Sequence, residues 1–495
     1  MPAKNCAVIG SGLGGLSAAI RCARMGLKVD LYERNTATGG KAGTFSSGGF
    51  RFDTGPSLLT MPFVLKDLFS FAGKDISSYM TLLPLEETCR YFFHDGTRIR
   101  AHRDIDRFAD EIEMNTEDTG ESVREYLEYC ARIYSLTAEL FLFNDFHELS
   151  TFTDSTSSLK TLFSIHRIDP FRSVHRANSS FFRDPRTLQL FDRYTTYNGS
   201  DPYRAPATLN IIPHVEYSMG AFIVKEGVTR IPEALTDIAV ESGVDLRLDT
   251  GVERIETIKD RVRGIRAHNS SFEYDMVITN ADVHLTYRDL LKDTASRPAR
   301  KYRRLEPSSS AVIFYWGVSG SFPDLGIHNI MFSADYRREF NDIFALGECP
   351  EDPTVYIYIS SRFKPDDAPA GYENWFVMIN APCNRGQDWQ AGMEKARKGV
   401  TERINRTLGI KIEDSIVSEK VVTPPDIEAA TSSHMGSIYG ISSNSQSAAF
   451  LRQGTRSRRY PGLYFCGGSA HPGGGIPLVL LSGKIASGLL GRHEL

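Results

Sequence analysis

The segment Cys6-Ala7-Val8-Ile9-Gly10-Ser11-Gly12-Leu13-Gly14-Gly15 constrains the fold more than any other stretch of the chain. A short all-apolar run suits a strand buried on both faces of a parallel sheet. The run stops at Gly10, and Leu16, Ala19, Ile20 and Ala23 then recur at helical spacing. Gly26 stands where a helix C-cap belongs, and Val29-Asp30-Leu31-Tyr32-Glu33 reads as the next strand. Together these form one βαβ unit of about 30 residues. In Gly10-x-Gly12-x-x-Gly15 the first glycine permits the tight turn and the second lets backbone approach a pyrophosphate. The third lets the helix pack on the strand. The helix start at Leu13 and Gly14 offers unpaired amides to phosphate. Glu33, followed by Arg34, ends the second strand. A carboxylate there accepts hydrogen bonds from ribose hydroxyls and repels a 2′-phosphate. A bound dinucleotide other than NADP is expected.

Length and composition narrow the class further. A chain of 495 residues exceeds one small domain. Its 57 basic and 61 acidic residues give a net charge of −4, so nothing global points to nucleic acid. The seven cysteines form no C-x-x-C pair, which disfavours a zinc site or a disulfide framework and fits a reducing compartment. The N-terminus runs straight into a strand pattern, and no apolar run is long enough to span a bilayer. A soluble cytoplasmic protein, with peripheral membrane contact left open, is expected.

Along the chain, the βαβ character fades after about residue 75. Residues 76–205 carry helical patterns, such as Val123 to Leu142, and aromatics such as Phe141, Phe143 and Phe146. They read as a helical insert covering a substrate. Over 206–290, Ile231 to Ala239 reads as a helix, and Val244 to Leu248, Val262 to Ala267 and Met276 to Ile278 read as strands. Over 291–440, Ala311 to Val318, Val355 to Ser360 and Trp375 to Ile379 suggest a second, mixed sheet. Over 441–495, Leu463 to Cys466 reads as a strand ending in Gly467-Gly468, before a helix from Leu478 to Leu490. Residues 1–75, 206–290 and 441–495 thus read as three parts of one dinucleotide-binding domain. The fold class is α/β, a Rossmann-type domain with an inserted α+β substrate domain.

Two further glycine-rich segments bear on the cofactor. Gly39-Gly40-Lys41-Ala42-Gly43 and Asp53-Thr54-Gly55-Pro56-Ser57 follow the βαβ unit, where backbone can pass close to an extended cofactor. Lys41 reads equally as a pyrophosphate partner or as a solvated loop lysine. Near the other end lies Gly467-Gly468-Ser469-Ala470-His471-Pro472-Gly473-Gly474-Gly475-Ile476-Pro477-Leu478. There a strand gives way to a glycine loop and a helix, whose N-terminus can stabilise negative charge.

These segments, with Thr279-Asn280-Ala281-Asp282, Thr286 to Leu291 and Arg304 to Ser310, resemble the bacterial phytoene desaturase family. That family belongs to a larger flavoprotein group with amine oxidases and Rab GDP-dissociation inhibitors. The resemblance spans the chain, and the C-terminal motif is its most specific part. It implies FAD, held by both glycine loops, by Gly40, Lys41, Gly55, Pro56 and Ser57, and by Asn280, Ala281 and Asp282. It also implies that the backbone of Val252 lies against the adenine, although Val252 reads as well as a core valine at a strand end. The turn Gly55 to Pro62 looks closer to hydroxycarotenoid 3,4-desaturases than to first-step phytoene desaturases.

The resemblance implies a long carotenoid substrate and insertion of a C=C bond, with the hard chemistry supplied by the cofactor. No catalytic triad or metal cluster is then needed, and the twelve histidines show no metal-binding spacing. Asp184 and Arg186 match a stretch in which an acid and an arginine are suggested to act. They read more plainly as an ion pair at a helix start. His471 stands beside the flavin loop as a candidate acid–base group or a satisfied loop histidine, and Cys466 reads as core. The segment Arg297 to Arg304 carries five cations that anionic lipid headgroups would attract, or that water simply solvates. Quinone or oxygen could reoxidise the flavin, since no second dinucleotide fingerprint exists. Carotenoid isomerases and oxygenases share the frame. An amine oxidase and a non-enzymatic lipid-binding protein remain the alternative classes.

Overall fold

The computed structural model describes residues 4–148, 168–445 and 451–495. The apolar run at the N-terminus is the middle strand of a five-stranded parallel sheet. Strand β1 (Asn5–Ile9) lies between β2 (Lys28–Tyr32) and Met276–Thr279, with Val8 opposite both Leu31 and Ile278. Asp245–Arg247 and Leu463–Phe465 take the two edges. Cys6, Ala7 and Val8 are fully buried, as a strand covered on both faces requires. Helix α1 (Leu13–Arg24) covers one face and the last helix, Ile476–Glu494, packs beside it.

That close packing depends on glycine. A Cβ on Gly15 would lie 2.0 Å from the Gly10 carbonyl oxygen. One on Gly483 would lie 2.5 Å from the Gly14 carbonyl oxygen. Ser17 adds a hydrogen bond to the Leu480 carbonyl at 2.9 Å. The two chain ends are therefore knitted into one layer, as the strand pattern suggests.

The second sheet has seven strands, in the order Ile416–Val422, Ser310–Ser319, Tyr372–Ala381, Val355–Ile359, His328–Met331, Glu87–Phe92 and Arg98–His102. Every pairing is antiparallel except that of His328–Met331 with Glu87–Phe92. Phe314, Trp316, Trp375 and Val377 form its interior. The sheet reaches back into a segment read from sequence as helical. Arg98-Ile99-Arg100-Ala101-His102 buries Ile99 and Ala101 and exposes the arginines, the period-two signature of a half-buried strand. Its neighbour Glu87–Phe92 hides the pattern behind a register shift at Thr88.

The helices Ile105–Asn115 and Gly120–Phe141 follow, the second capped by Thr119. They enclose an aromatic cluster of Phe108, Tyr126, Phe182, Phe191 and Tyr194. Residues 149–167 of the expected insert and 446–450 of the final segment lie outside the described residues. No helix among the described residues is long and apolar enough to cross a membrane. All seven cysteines are free and buried.

Candidate functional site

A single cavity of about 1300 Å³ runs from the end of β1 to the face of the seven-stranded sheet. At one end it is walled mainly by backbone. Gly10 leaves the strand with φ of +92°, and its amide donates to the Tyr32 carbonyl at 2.8 Å. Helix α1 starts at Gly12 with no side-chain cap, so its first amides face the cavity without a protein partner on that side. The last helix likewise starts uncapped, at Gly475, on the same cavity. Helices after Asp104, Thr119, Asp184, Ser296 and Asp388 carry a side-chain cap, whereas those after Met61, Asn210 and Thr229 also start without one. Two uncapped helix starts converging on one cleft make an anion cradle.

Asn280 wedges the two glycine loops together. A Cβ on Gly12 or Gly14 would lie 2.7 Å from its amide, and one on Gly467, at φ of +91°, 2.4 Å from it. Ala281 and Asp282 continue along the wall. Asp282 caps the turn Val283–Leu285, and Ser469 accepts from the Val283 amide at 3.0 Å. Gly40 rests against the backbone of Gly12, and Gly55 against the Lys41 carbonyl. Pro56, Ser57, Gly468, Ile476, Pro477 and Leu478 complete this end.

Glu33 lines the cavity but is already engaged. One carboxylate oxygen accepts from the Ser11 amide and hydroxyl, both at 2.8 Å, and the other from the Asn35 amide and side chain, both at 2.9 Å. A carboxylate has about four acceptor sites, so these bonds use them all. Arg34 also borders the cavity and donates to the Ala429 carbonyl. Val252 opens an antiparallel strand and borders the cavity, beside Thr250, whose amide donates to the Glu33 carbonyl at 2.7 Å.

Two cations border this end without a carboxylate in contact among the described residues. Lys41 donates to the carbonyls of Ser437 and Ile438 at 3.2 and 2.6 Å. Lys41 remains exposed at the cavity, and desolvation lowers its ammonium to about 8 against the opposing pull of Asp282. Arg452 donates to the carbonyls of Tyr439, Ile441 and Gly468 and to the side-chain oxygen of Asn198. Burial lowers its guanidinium to about 10. Sequence reading missed Arg452, because it stands in a run of scattered basic residues. His471 also borders the cavity. Its Nε2 lies 2.7 Å from the Asn144 carbonyl, and burial holds it neutral, near 4. Cys466 is core, not cavity wall, with its thiol 3.7 Å from the Asn280 oxygen.

The other end is walled by side chains. Leu142, Ile168, Leu209, Ile211, Ile212 and Val215 supply apolar surface. Set into it is a buried polar group. Arg193 stands at the start of the short turn Arg193–Asn198, and Glu216 on the helix Ile211–Tyr217. Glu216 accepts from the Tyr194 hydroxyl at 2.8 Å and from the Tyr197 hydroxyl, with Arg193 at 3.5 Å. Beside them Ser57, Tyr356 and His328 form a chain, at 2.5 Å from Ser57 to Tyr356 and 2.8 Å from Tyr356 to His328 Nδ1. Apart from Ser57, these residues come from four separate stretches that carried no sequence motif.

Asp184 and Arg186 do not border the cavity. Asp184 is buried and caps the helix Pro185–Asp192. It accepts from the Arg186 and Glu117 amides and pairs with the Arg186 guanidinium at 2.6 Å. Burial alone would raise its carboxyl, but these donors outweigh burial and hold it below the usual range. Arg186 also reaches Asp95 and Thr97. The pair is a helix-start clamp away from the cavity, in line with the ion-pair reading of the sequence.

The backbone-walled end fits FAD: two uncapped helix starts for the pyrophosphate, an acidic residue at the end of the second strand, and two cations with no carboxylate in contact among the described residues. The comparisons agree. Residues 13–490 match the model of the flavin containing amine oxidoreductases. A 1-hydroxycarotenoid 3,4-desaturase from a Flavobacterium species is 40% identical over 98% of this chain and 99% of its own. A 4,4′-diapolycopene oxygenase from a Methylomonas species is 33% identical over 97% and 96%. Among solved structures, a putrescine oxidase superposes with a TM-score of 0.65 at 13% identity, covering 100% of both chains. The cyclohexylamine oxidase of Brevibacterium oxydans superposes with 0.62 at 15% over 99% of each, which shows the shared fold. The chain is a flavin oxidoreductase that belongs to the flavin containing amine oxidoreductases and, within them, to the carotenoid desaturase and oxygenase family.

Proposed function

We propose that this chain is an FAD-dependent carotenoid desaturase that introduces a C=C bond at the 3,4 position of a hydroxylated carotenoid. The observation that carries the reading is the single cleft, which joins an anion cradle made of backbone to an apolar pocket. At 1300 Å³ it exceeds the roughly 300–1000 Å³ of a site for one small ligand. The 40% identity to a 1-hydroxycarotenoid 3,4-desaturase supports the choice of bond. The amine oxidase alternative rests on fold alone.

Bound FAD supplies the two-electron oxidation of a carbon–carbon single bond. The chain's own residues hold and shape. The free amides at Leu13 and Gly14 and the ammonium of Lys41 would hold the pyrophosphate, and Glu33 the adenosine ribose. The amides at Ile476 would face the flavin, where their partial positive charge favours the reduced, anionic form. Leu142, Ile211, Ile212 and Val215 exclude water from the polyene, whose burial is favourable at about 25 cal/mol per Å².

A polyene reaches such a cleft from a bilayer. The helix Arg297–Arg304 presents Arg297, Arg300, Lys301, Arg303 and Arg304, each worth roughly 1 kcal/mol near anionic headgroups. Peripheral docking on the inner face of the membrane, with quinone or oxygen as terminal acceptor, follows from this reading. Salt-sensitive binding to anionic vesicles tests the docking. The function is tested by co-expression with strains that accumulate hydroxylated or non-hydroxylated carotenoids. The expected product has lost two hydrogens and absorbs further to the red. A product that has gained oxygen, or no product, overturns the reading.

A further inference from the structure

An apolar pocket for a hydrocarbon has no need of ionic groups, yet this one contains them. Arg193 and Glu216 border the cavity while only 6% and 2% exposed. The Arg193 guanidinium spends Nε and Nη2 on the Tyr91 hydroxyl and on Glu216. Its Nη1 has no partner among the described residues. His328, 4% exposed, also borders the cavity. Its Nδ1 is held by Tyr356 and its rings stack on Tyr356 and Tyr358, but its Nε2 is buried with no hydrogen-bond partner. Buried polar atoms are nearly always paired, so an unpaired one on a residue that lines the cavity calls for a partner, a ligand atom or a bound water. Asn329 and Ile330 of the His328 strand lie opposite Arg90 and Tyr91, which brings His328 alongside the strand that carries the Arg193 anchor.

We propose that His328 Nε2 and Arg193 Nη1 form a recognition site for the hydroxyl of a polyene end group. The proposal rests on the desaturase reading and adds the specificity determinant to it. Arg193 donates a charge-assisted bond to the hydroxyl oxygen. Burial, with Arg193 nearby, lowers His328 to about 3, so the ring is neutral and carries one proton. A hydroxyl both donates and accepts, so it satisfies Nε2 in either tautomer. The position also fits the bond to be oxidised. A hydroxyl oxygen on carbon 1 is three bonds from carbon 3, so its binding site must lie close to the flavin. Ser57, on the turn expected to face FAD, is linked to His328 through Tyr356.

The test uses the FAD-loaded enzyme under anaerobic conditions and two polyenes that differ only in a hydroxyl or hydrogen at carbon 1. The rate of flavin bleaching gives kcat/KM for each. The wild type is expected to favour the hydroxylated polyene by about 10- to 100-fold, the penalty for leaving buried partners unpaired. His328→Phe should bring the ratio to within about threefold of unity with FAD content unchanged. The wild-type ratio needs no variant to fold. Equal wild-type rates overturn the recognition site and leave the desaturase standing. An unchanged ratio in FAD-replete His328→Phe also overturns it. Failure of both polyenes to bleach the flavin overturns the desaturase reading itself.

Discussion

The two ends of the cleft are built from different materials. The end read as the FAD site is made of main chain, with glycines at Gly10, Gly12, Gly14, Gly467 and Gly475 and two helix starts without caps. The substrate end is made of side chains, an apolar wall with Arg193, Glu216 and His328 set into it. Backbone recognition tolerates no added Cβ, and charge titration reaches it only through side chains at its edge such as Lys41. Side-chain recognition can be retuned one residue at a time. Substitutions at the first end should therefore act on cofactor and fold together, and those at the second on substrate choice alone.

The largest effect is expected at Gly15. Alanine there would place a methyl 2.0 Å from the Gly10 carbonyl oxygen, with backbone on both sides and nowhere to yield. Gly15→Ala should lose FAD and about 3 kcal/mol or more of stability, measured by flavin absorbance and by denaturation. A variant with full flavin content would break the comparison.

Next is Glu33→Ala. It leaves the buried amide of Ser11 without an acceptor, at about 1–3 kcal/mol, while the exposed Asn35 can turn to water. FAD affinity should fall by at least about tenfold. Glu33→Gln, which still accepts, should fall less.

Lys41 gives a pH signature. Its ammonium is lowered to about 8 by desolvation, against an ordinary value of 10.5. Between these values the folded apoprotein binds fewer protons than the unfolded chain. Its stability should therefore rise with pH across that window. FAD affinity should change in the opposite sense, falling as pH rises through about 8 and the charge is lost. Lys41→Arg should flatten the titration of FAD affinity. A pH-independent affinity in the wild type would detach Lys41 from the pyrophosphate.

The smallest effect on chemistry is expected at Asp184. Asp184→Ala removes a helix cap and an ion pair, at about 1–2 kcal/mol of stability. The rate of flavin reduction should stay at the wild-type level. A large loss of rate at unchanged stability would return Asp184 to the chemistry.

What was legible in the sequence follows the same division. Main-chain sites need glycines at fixed offsets between a strand and a helix, so both loops and the two-ended parallel sheet could be read directly. Glu33 was recognised, but not its four existing bonds, which come from Ser11 and from Asn35 two residues on. The substrate end was not legible. Arg193, Glu216, His328 and Tyr356 meet only because a turn, a helix and two strands converge, and each looks ordinary in its own segment. The strand Glu87–Phe92 was hidden by its register shift, although Arg98–His102 alternated openly.

The central claim is that one cleft unites an FAD cradle with a polyene pocket. The most direct measurement is anaerobic mixing of FAD-loaded protein with a 1-hydroxycarotenoid, followed by flavin absorbance and by the mass of the extracted polyene. The flavin band should bleach, with one polyene losing two hydrogens for each flavin reduced. A flavin that stays oxidised while the polyene is unchanged would contradict it.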